Sequence, residues 1–197
     1  MWLHDPVHKI FDIRRHESLA QDLANLLDIT APGKDVYQKA DMMASGLTRA
    51  ALSGYKPDAA QNGAVDFSAS PLVTHPLIPK TLNLSVGNAD INGIHDALKE
   101  LLTHDLGLGK TLEELWAMPE DERPLSAFFD RRNTPEEWAQ ALYFYLFFSL
   151  KKRLRQKNTS DLGSSWDLLP ADSRMPDHPV WHHLGLTSAI GSALAAD

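Results

Sequence analysis

The stretch that most constrains this chain stands at its start. In Leu3-His4-Asp5-Pro6-Val7-His8-Lys9 a histidine and an aspartate are adjacent, and such side chains can bridge one divalent metal ion or a pair of them. An HD dipeptide recurs by chance, so its surroundings carry the weight. His16 follows about three helical turns on. Asp41 sits in a strongly helical segment, and the far end carries Pro176-Asp177-His178-Pro179-Val180-Trp181-His182-His183. Imidazole and carboxylate together suit Mn, Fe, Co, Ni or Zn better than Mg. The pattern points to a metal-dependent hydrolase.

Composition narrows the setting. With 197 residues, 43% of them hydrophobic, the chain can bury a sizeable core as one domain, or as one domain with a small insertion. Cysteine is absent, which excludes a disulfide framework and a thiolate metal site and fits a reducing cytoplasm. The longest apolar run, Ala141 to Leu150, is too short to span a bilayer, and the N-terminus has no apolar run of signal-peptide length. A soluble cytoplasmic protein with no membrane contact is expected. The net charge of −7 excludes a surface that coats nucleic acid indiscriminately, so any such contact must be local.

Helical spacing recurs along the chain. Leu19, Leu23, Leu26 and Leu27 share one face of a first helix, which Pro32-Gly33 ends. A second helix has Asp35 placed to cap it and Val36, Ala40, Met43, Leu47, Ala50 and Ala51 as its apolar stripe, with Asp41 beside that stripe. Ser53 to Gly63 reads as a surface loop. Ala64 to Ser68 and Thr81 to Ser85 alternate apolar and polar residues, which predicts a small β-ribbon inserted at about 60–88. A helix from about Asp90 puts Ile91, Ile94, Leu98, Leu101 and Leu102 on one side and ends at Gly107.

That helix carries a second HD pair, His104-Asp105, followed by Gly107, Gly109 and Lys110. The spacing of those glycines is too short for a Walker loop, so the stretch reads as a helix C-cap and the pair as solvated helix-end residues. Thr111-Leu112-Glu113-Glu114 is a capping box, and Thr134-Pro135-Glu136-Glu137 is the clearest helix start in the chain. The helix it opens is apolar on nearly every side through Phe148 and is expected to be buried and central. Its end carries five cations between Lys151 and Lys157. They complement the helix dipole; the functional reading makes Lys151, Lys152 and Arg155 a landing strip for phosphates. Asn158 to Pro176 is polar and turn-rich. A final helix begins near Pro179, and His183 points inward if Leu186, Ile190 and Ala193 define its buried face.

These residues resemble a known family. Leu3-His4-Asp5-Pro6 with Lys9, Arg15-His16-Glu17, Lys39-Ala40-Asp41-Met42-Met43-Ala44-Ser45, Thr74-His75-Pro76-Leu77, Leu169 to His178, and Trp181-His182-His183-Leu184-Gly185-Leu186-Thr187-Ser188-Ala189 look like the N-terminal HD domain of the large signature subunit of type III-B CRISPR effector complexes. The resemblance spans nearly the whole chain, and the tail motif is its specific part. It implies a mainly α fold: one HD domain over 1–197 in permuted order, with the HD pair first and the isolated histidine, His183, near the end.

By that resemblance His4, Asp5, Asp41 and His183 are the core metal ligands, His16 is a ligand to a second ion, and His178 belongs to the tail motif beside them. One or two divalent transition ions are implied, with Mn, Ni or Co foremost. His4, Asp5 and Lys9 would carry the chemistry, Lys9 by holding a phosphate. Arg14 and Arg15, or the run from Lys151 through Arg155, would track a nucleic-acid backbone. The implied activity is cleavage of single-stranded DNA, switched on when the assembled ribonucleoprotein, with its other subunits and guide RNA, binds target RNA. The polymerase-like cyclase part of the family is missing from this chain, so cyclic oligoadenylate synthesis is not implied. Two other readings stay open: an HD phosphohydrolase acting on small nucleotides, and a structural domain in which a metal staples the two chain ends without catalysis.

Overall fold

The computed structural model describes residues 4–29, 34–49, 72–74, 81–83, 90–129, 135–157, 162–171 and 179–196. They are mainly helical. The chain divides into two compact units, one made of Met1–Ile91 with Ser164–Asp197 and the other of Asn92–Gly163. No helix among the described residues is long and apolar enough to cross a membrane.

In the first unit the HD stretch runs into two 3-10 turns, Lys9–Phe11 and Ile13–Arg15, and then into α1, His16–Leu26. Val7, Ile10 and Phe11 are buried, so the chain start is anchored by apolar side chains on both sides of Lys9. Leu19 and Leu23 of α1 and Leu27 just after it are buried as their spacing predicts, whereas Leu26 of the same expected face is only half buried. Helix α2, Lys34–Arg49, begins one residue before Asp35, which therefore lies in its first turn rather than capping it. Its described buried residues are Ala40 and Ala44, while Met43 is half exposed. Ala50 and Ala51 of the expected stripe lie outside the described residues.

A two-stranded ribbon lies within the expected span of about 60–88. Strand β1, Leu72–Thr74, pairs antiparallel with β2, Thr81–Asn83, placing Leu72 opposite Asn83 and Thr74 opposite Thr81. The second strand is where the alternation puts it. Its partner is the nearer segment, which closes a shorter loop at lower entropic cost. Ala64 to Ser68, the expected partner, and the loop from Ser53 to Gly63 lie outside the described residues.

The C-terminal part of this unit is less polar than its composition suggests. Trp166 and Leu169 are fully buried and Ala171 nearly so. The Val180 N–H donates to Leu169 O at 2.8 Å and Trp181 Nε1 donates to Trp166 O at 2.6 Å, fixing the start of the last helix. That helix, Val180–Ala196, is called α7 below, and it packs along α2. Its buried face is Val180, His183, Leu184, Thr187, Ser188 and Gly191, spaced along one side. His183 does point inward, but Ala193 lies on the exposed side and Leu186 and Ile190 are only half buried. Apolar residues surround this helix on all sides, so the pattern selects no face. Small residues stand on the buried faces of both packed helices, Ala40 and Ala44 on α2 and Ser188 and Gly191 on α7.

The second unit contains α3, Ile91–Leu106, nearly all of which belongs to it, and α4, Leu112–Trp116. Helix α3 ends as expected at Gly107, whose φ is +66°. Leu108 N–H donates to Thr103 O at 3.0 Å and Gly107 N–H to His104 O at 3.3 Å, a Schellman termination. The capping box forms, with Glu114 N–H donating to Thr111 Oγ1 at 3.3 Å and Thr111 N–H to Glu114 Oε2 at 2.7 Å. Helix α5, Pro135–Phe144, starts on its proline; Thr134 lies outside the described residues. It continues through a π-helical turn, Tyr145–Ser149, into α6, Leu150–Gln156. The helix is not buried all round. Trp138, Ala141, Leu142 and Leu146 are buried, whereas Phe144 and Phe148 are well exposed.

Candidate metal centre

Three elements of the first unit converge on one place. The turn that starts the chain carries His4 and Asp5, α2 carries Asp41 and α7 carries His183. Ligand atoms of these four residues all lie within 4.8 Å of one another. His183 Nε2 is 2.9 Å from Asp41 Oδ1 and 3.3 Å from Asp5 Oδ2. His4 Nε2 is 3.4 Å from Asp5 Oδ2 and 3.5 Å from Asp41 Oδ1. Lys9, buried one turn after Asp5, bonds its Nζ to Asp5 Oδ2. Ser45, one turn after Asp41, donates to Asp41 Oδ1 at 3.5 Å.

Electrostatics tie the cluster together. Burial pushes the Asp5 carboxyl up, yet Lys9, His183 and His4 outweigh it and hold the group well below the usual carboxylate range. Asp41 is likewise desolvated, and hydrogen bonds from His183 and His4 hold its carboxyl far down. His183 moves the other way. Burial lowers its pKa, but its bonds to Asp41 and Asp5 prevail and raise it. Two committed carboxylates therefore face imidazole nitrogens, an arrangement with an evident place for a cation.

The donor set fits a first-row divalent ion. Imidazole and carboxylate donors bound to one such ion at about 2.0–2.2 Å stand roughly 3 to 4 Å apart. The four histidine–aspartate separations run from 2.9 to 3.5 Å, and all ligand atoms of the set lie within 4.8 Å of one another. Two nitrogens and two oxygens, without sulfur, match Mn, Co, Ni, Fe or Zn. Asp41 is the open member, its side chain 39% exposed.

The remaining expected residues distribute as follows. His16 opens α1, half buried, and does not belong to the four-residue cluster. Arg14 and Arg15 are exposed on their 3-10 turn. Lys152 and Arg155 are exposed and Lys151 half buried on α6. His178 lies outside the described residues, as do His75 and Pro76. Two neighbours were not singled out for a role at the site. His8 is fully buried. The Tyr37 ring stands 6.3 Å from that of His4, and its position four residues before Asp41 on α2 is the signal that would have found it.

The second HD pair has a different fate from the one expected. His104 is exposed, but the Asp105 side chain is only 5% exposed. Arg153 grips it with Nε and Nη2, both at 2.6 Å, and the Tyr145 hydroxyl donates to it at 2.8 Å. This arginine belongs to the cationic run that the sequence reads as complementing the helix dipole, and it stands 48 residues from Asp105 along the chain. Burial favours the neutral acid, but Arg153, His104 and Tyr145 together lower the Asp105 pKa.

No family model matches the chain, and no solved structure matches it. Among curated proteins it is similar to the CRISPR system Cmr subunit Cmr2 of Pyrococcus furiosus, at 22% identity over 218 aligned residues. That likeness covers 96% of this chain and 24% of the relative, so the chain spans about a quarter of the relative's length.

Proposed function

We propose that the chain is a metal-dependent HD-type nuclease that cleaves single-stranded DNA within a type III CRISPR defence complex. One observation carries the reading: His183, from the last helix, stands within 3.3 Å of Asp5 and Asp41. This is the meeting that a permuted HD site requires, and spacing along the chain gives no hint of it. Similarity to Cmr2 over 96% of the chain supports the CRISPR setting. In this reading 1–197 is one permuted HD domain acting in the cytoplasm, and its partners are the other subunits of the ribonucleoprotein and its guide RNA.

His4, Asp5, Asp41 and His183 would hold the ion. When bound, a divalent ion supplies Lewis-acid stabilisation of a phosphodiester and eases ionisation of a water at neutral pH. Lys9 orients the Asp5 carboxylate through its ion pair and brings a positive charge beside the site. Asp41, the least buried of the four, marks the side on which a substrate phosphate would arrive. Arg14 and Arg15 supply exposed positive charge in the same unit, and His16 is assigned to a second ion.

Labelled single-stranded DNA, duplex DNA, RNA and small nucleotides incubated with Mn, Co, Ni and Mg test this directly. Cleavage of single-stranded DNA with Mn, Co or Ni, and none in EDTA, is expected. Equal cutting in chelator removes the metal mechanism. Turnover of nucleotides alone would mark a phosphohydrolase, and tight metal binding with no hydrolysis would mark a structural staple.

A further inference from the structure

The segment from α5 to α6 carries aromatic side chains that its core does not use. Tyr143, Phe144, Phe147 and Phe148 are 42%, 58%, 37% and 64% exposed. Their rings are ordered. Tyr143 and Phe147 stack at 5.6 Å and 19°, Phe144 and Phe148 stack at 5.9 Å and 20°, and Phe147 meets Phe148 edge-on at 4.8 Å. Members of each stacked pair stand four residues apart, the spacing that places side chains on one face of a helix. A π-helical turn interrupts the helix here, with the Leu150 N–H donating to Tyr145 O.

Both lines of rings continue into cations. Lys151 stands four residues after Phe147, and Lys152 four after Phe148. Arg153 is committed elsewhere, to Asp105, and Tyr145 at the head of the π turn donates to the same carboxylate. That network ties both flanks of the aromatic turn to α3. The chain as a whole carries −7, so cations gathered at the end of two stacked rows are a local exception to its charge. A purely apolar protein face would match the rings and leave the ammonium groups without counter-charge. A single strand uses both features, unpaired bases on the ring faces and phosphates on the ammonium groups.

We propose that Tyr143, Phe144, Phe147 and Phe148, with Lys151 and Lys152, form a stacking platform for single-stranded DNA. The choice of DNA rests on the nuclease reading above; the platform itself rests on the rings and cations of the second unit.

Binding is measured on the whole chain in EDTA, where no strand is cut, by fluorescence anisotropy of labelled oligothymidine, a duplex of equal length and oligouridine. Phe144→Ala and Phe148→Ala should each weaken binding of oligothymidine about 5- to 100-fold, and Phe148→Trp should keep it. Lys151→Gln and Lys152→Gln should each flatten the salt dependence by about 0.7 in log–log slope. Unchanged affinity in both alanine variants overturns the platform. So does duplex bound as tightly as the single strand, or oligouridine bound more tightly than oligothymidine. Alanine variants that alter only self-association in sedimentation would show the face covered by protein and also overturn it. Strand binding lost in these variants, with no cutting under any metal, would support the platform while refuting the nuclease. Normal cutting with unchanged binding would do the reverse.

Discussion

At the proposed site a proton on His183 and a divalent ion would compete for one place between Asp5 and Asp41. Because those carboxylates raise the pKa of His183, a bound metal would have to displace a proton held more tightly than on free imidazole, whose pKa is about 6.5. Occupancy should therefore fall as pH drops, and the fall should begin above about pH 6.5. Without metal the sign reverses: a raised histidine pKa stabilises the fold fully below its unfolded value, and that contribution is lost as pH rises through the folded one. Equilibrium dialysis across this range checks the first trend, and retention of all bound metal down to about pH 5 would count against histidine ligation. The ligands should also act as a unit. His183→Ala is expected to abolish metal-dependent hydrolysis as fully as the double change of His4 and Asp5 to alanine, and combining them should add little. An active His183→Ala variant, folded by circular dichroism, would reject the permuted site.

Elements differ in how openly their residues announce them. Asp105→Asn should cost about 2 kcal/mol in urea unfolding, because it removes the charged acceptor of two Arg153 bonds while leaving a similar shape. Metal content should stay at the parent value, since Asp105 is not among the four clustered residues that could hold an ion. An Asp105→Asn protein as stable as the parent would mean that the network contributes nothing. Local devices of this unit were legible: the Thr111 capping box, Pro135 at a helix start and Gly107 at a helix end each act within a few residues of chain. Gly107 also has no room for a side chain, as an added Cβ would lie 2.5 Å from Pro124 Cγ. The Asp105 network was not legible, because its partners lie 40 and 48 residues away and nothing local marks them. Helix faces were legible only where apolar residues were sparse. On α7 and on the aromatic helix, apolar side chains surround the axis, so their pattern alone selects no face.

At the scale of the whole chain, the first unit is assembled from both ends, Met1–Ile91 and Ser164–Asp197. His4, Asp5 and Asp41 were readable as metal-binding types from the N-terminal sequence. Joining them to His183 needed the family resemblance, since a contact between residues 41 and 183 follows from no periodicity. An ion held by all four residues would tie the first segment to the last, and an ion that binds only the folded state stabilises it by mass action. At a free metal concentration about 100 times the dissociation constant the gain is about 2.7 kcal/mol. For a chain of this size that raises the melting temperature by about 5 to 10 °C. Thermal unfolding of the parent with Mn, Co or Ni against EDTA should show this rise, and His183→Ala should lose most of it while His104→Ala keeps it. An equal rise in His183→Ala would place the ion elsewhere and leave the two ends of the chain joined by packing alone.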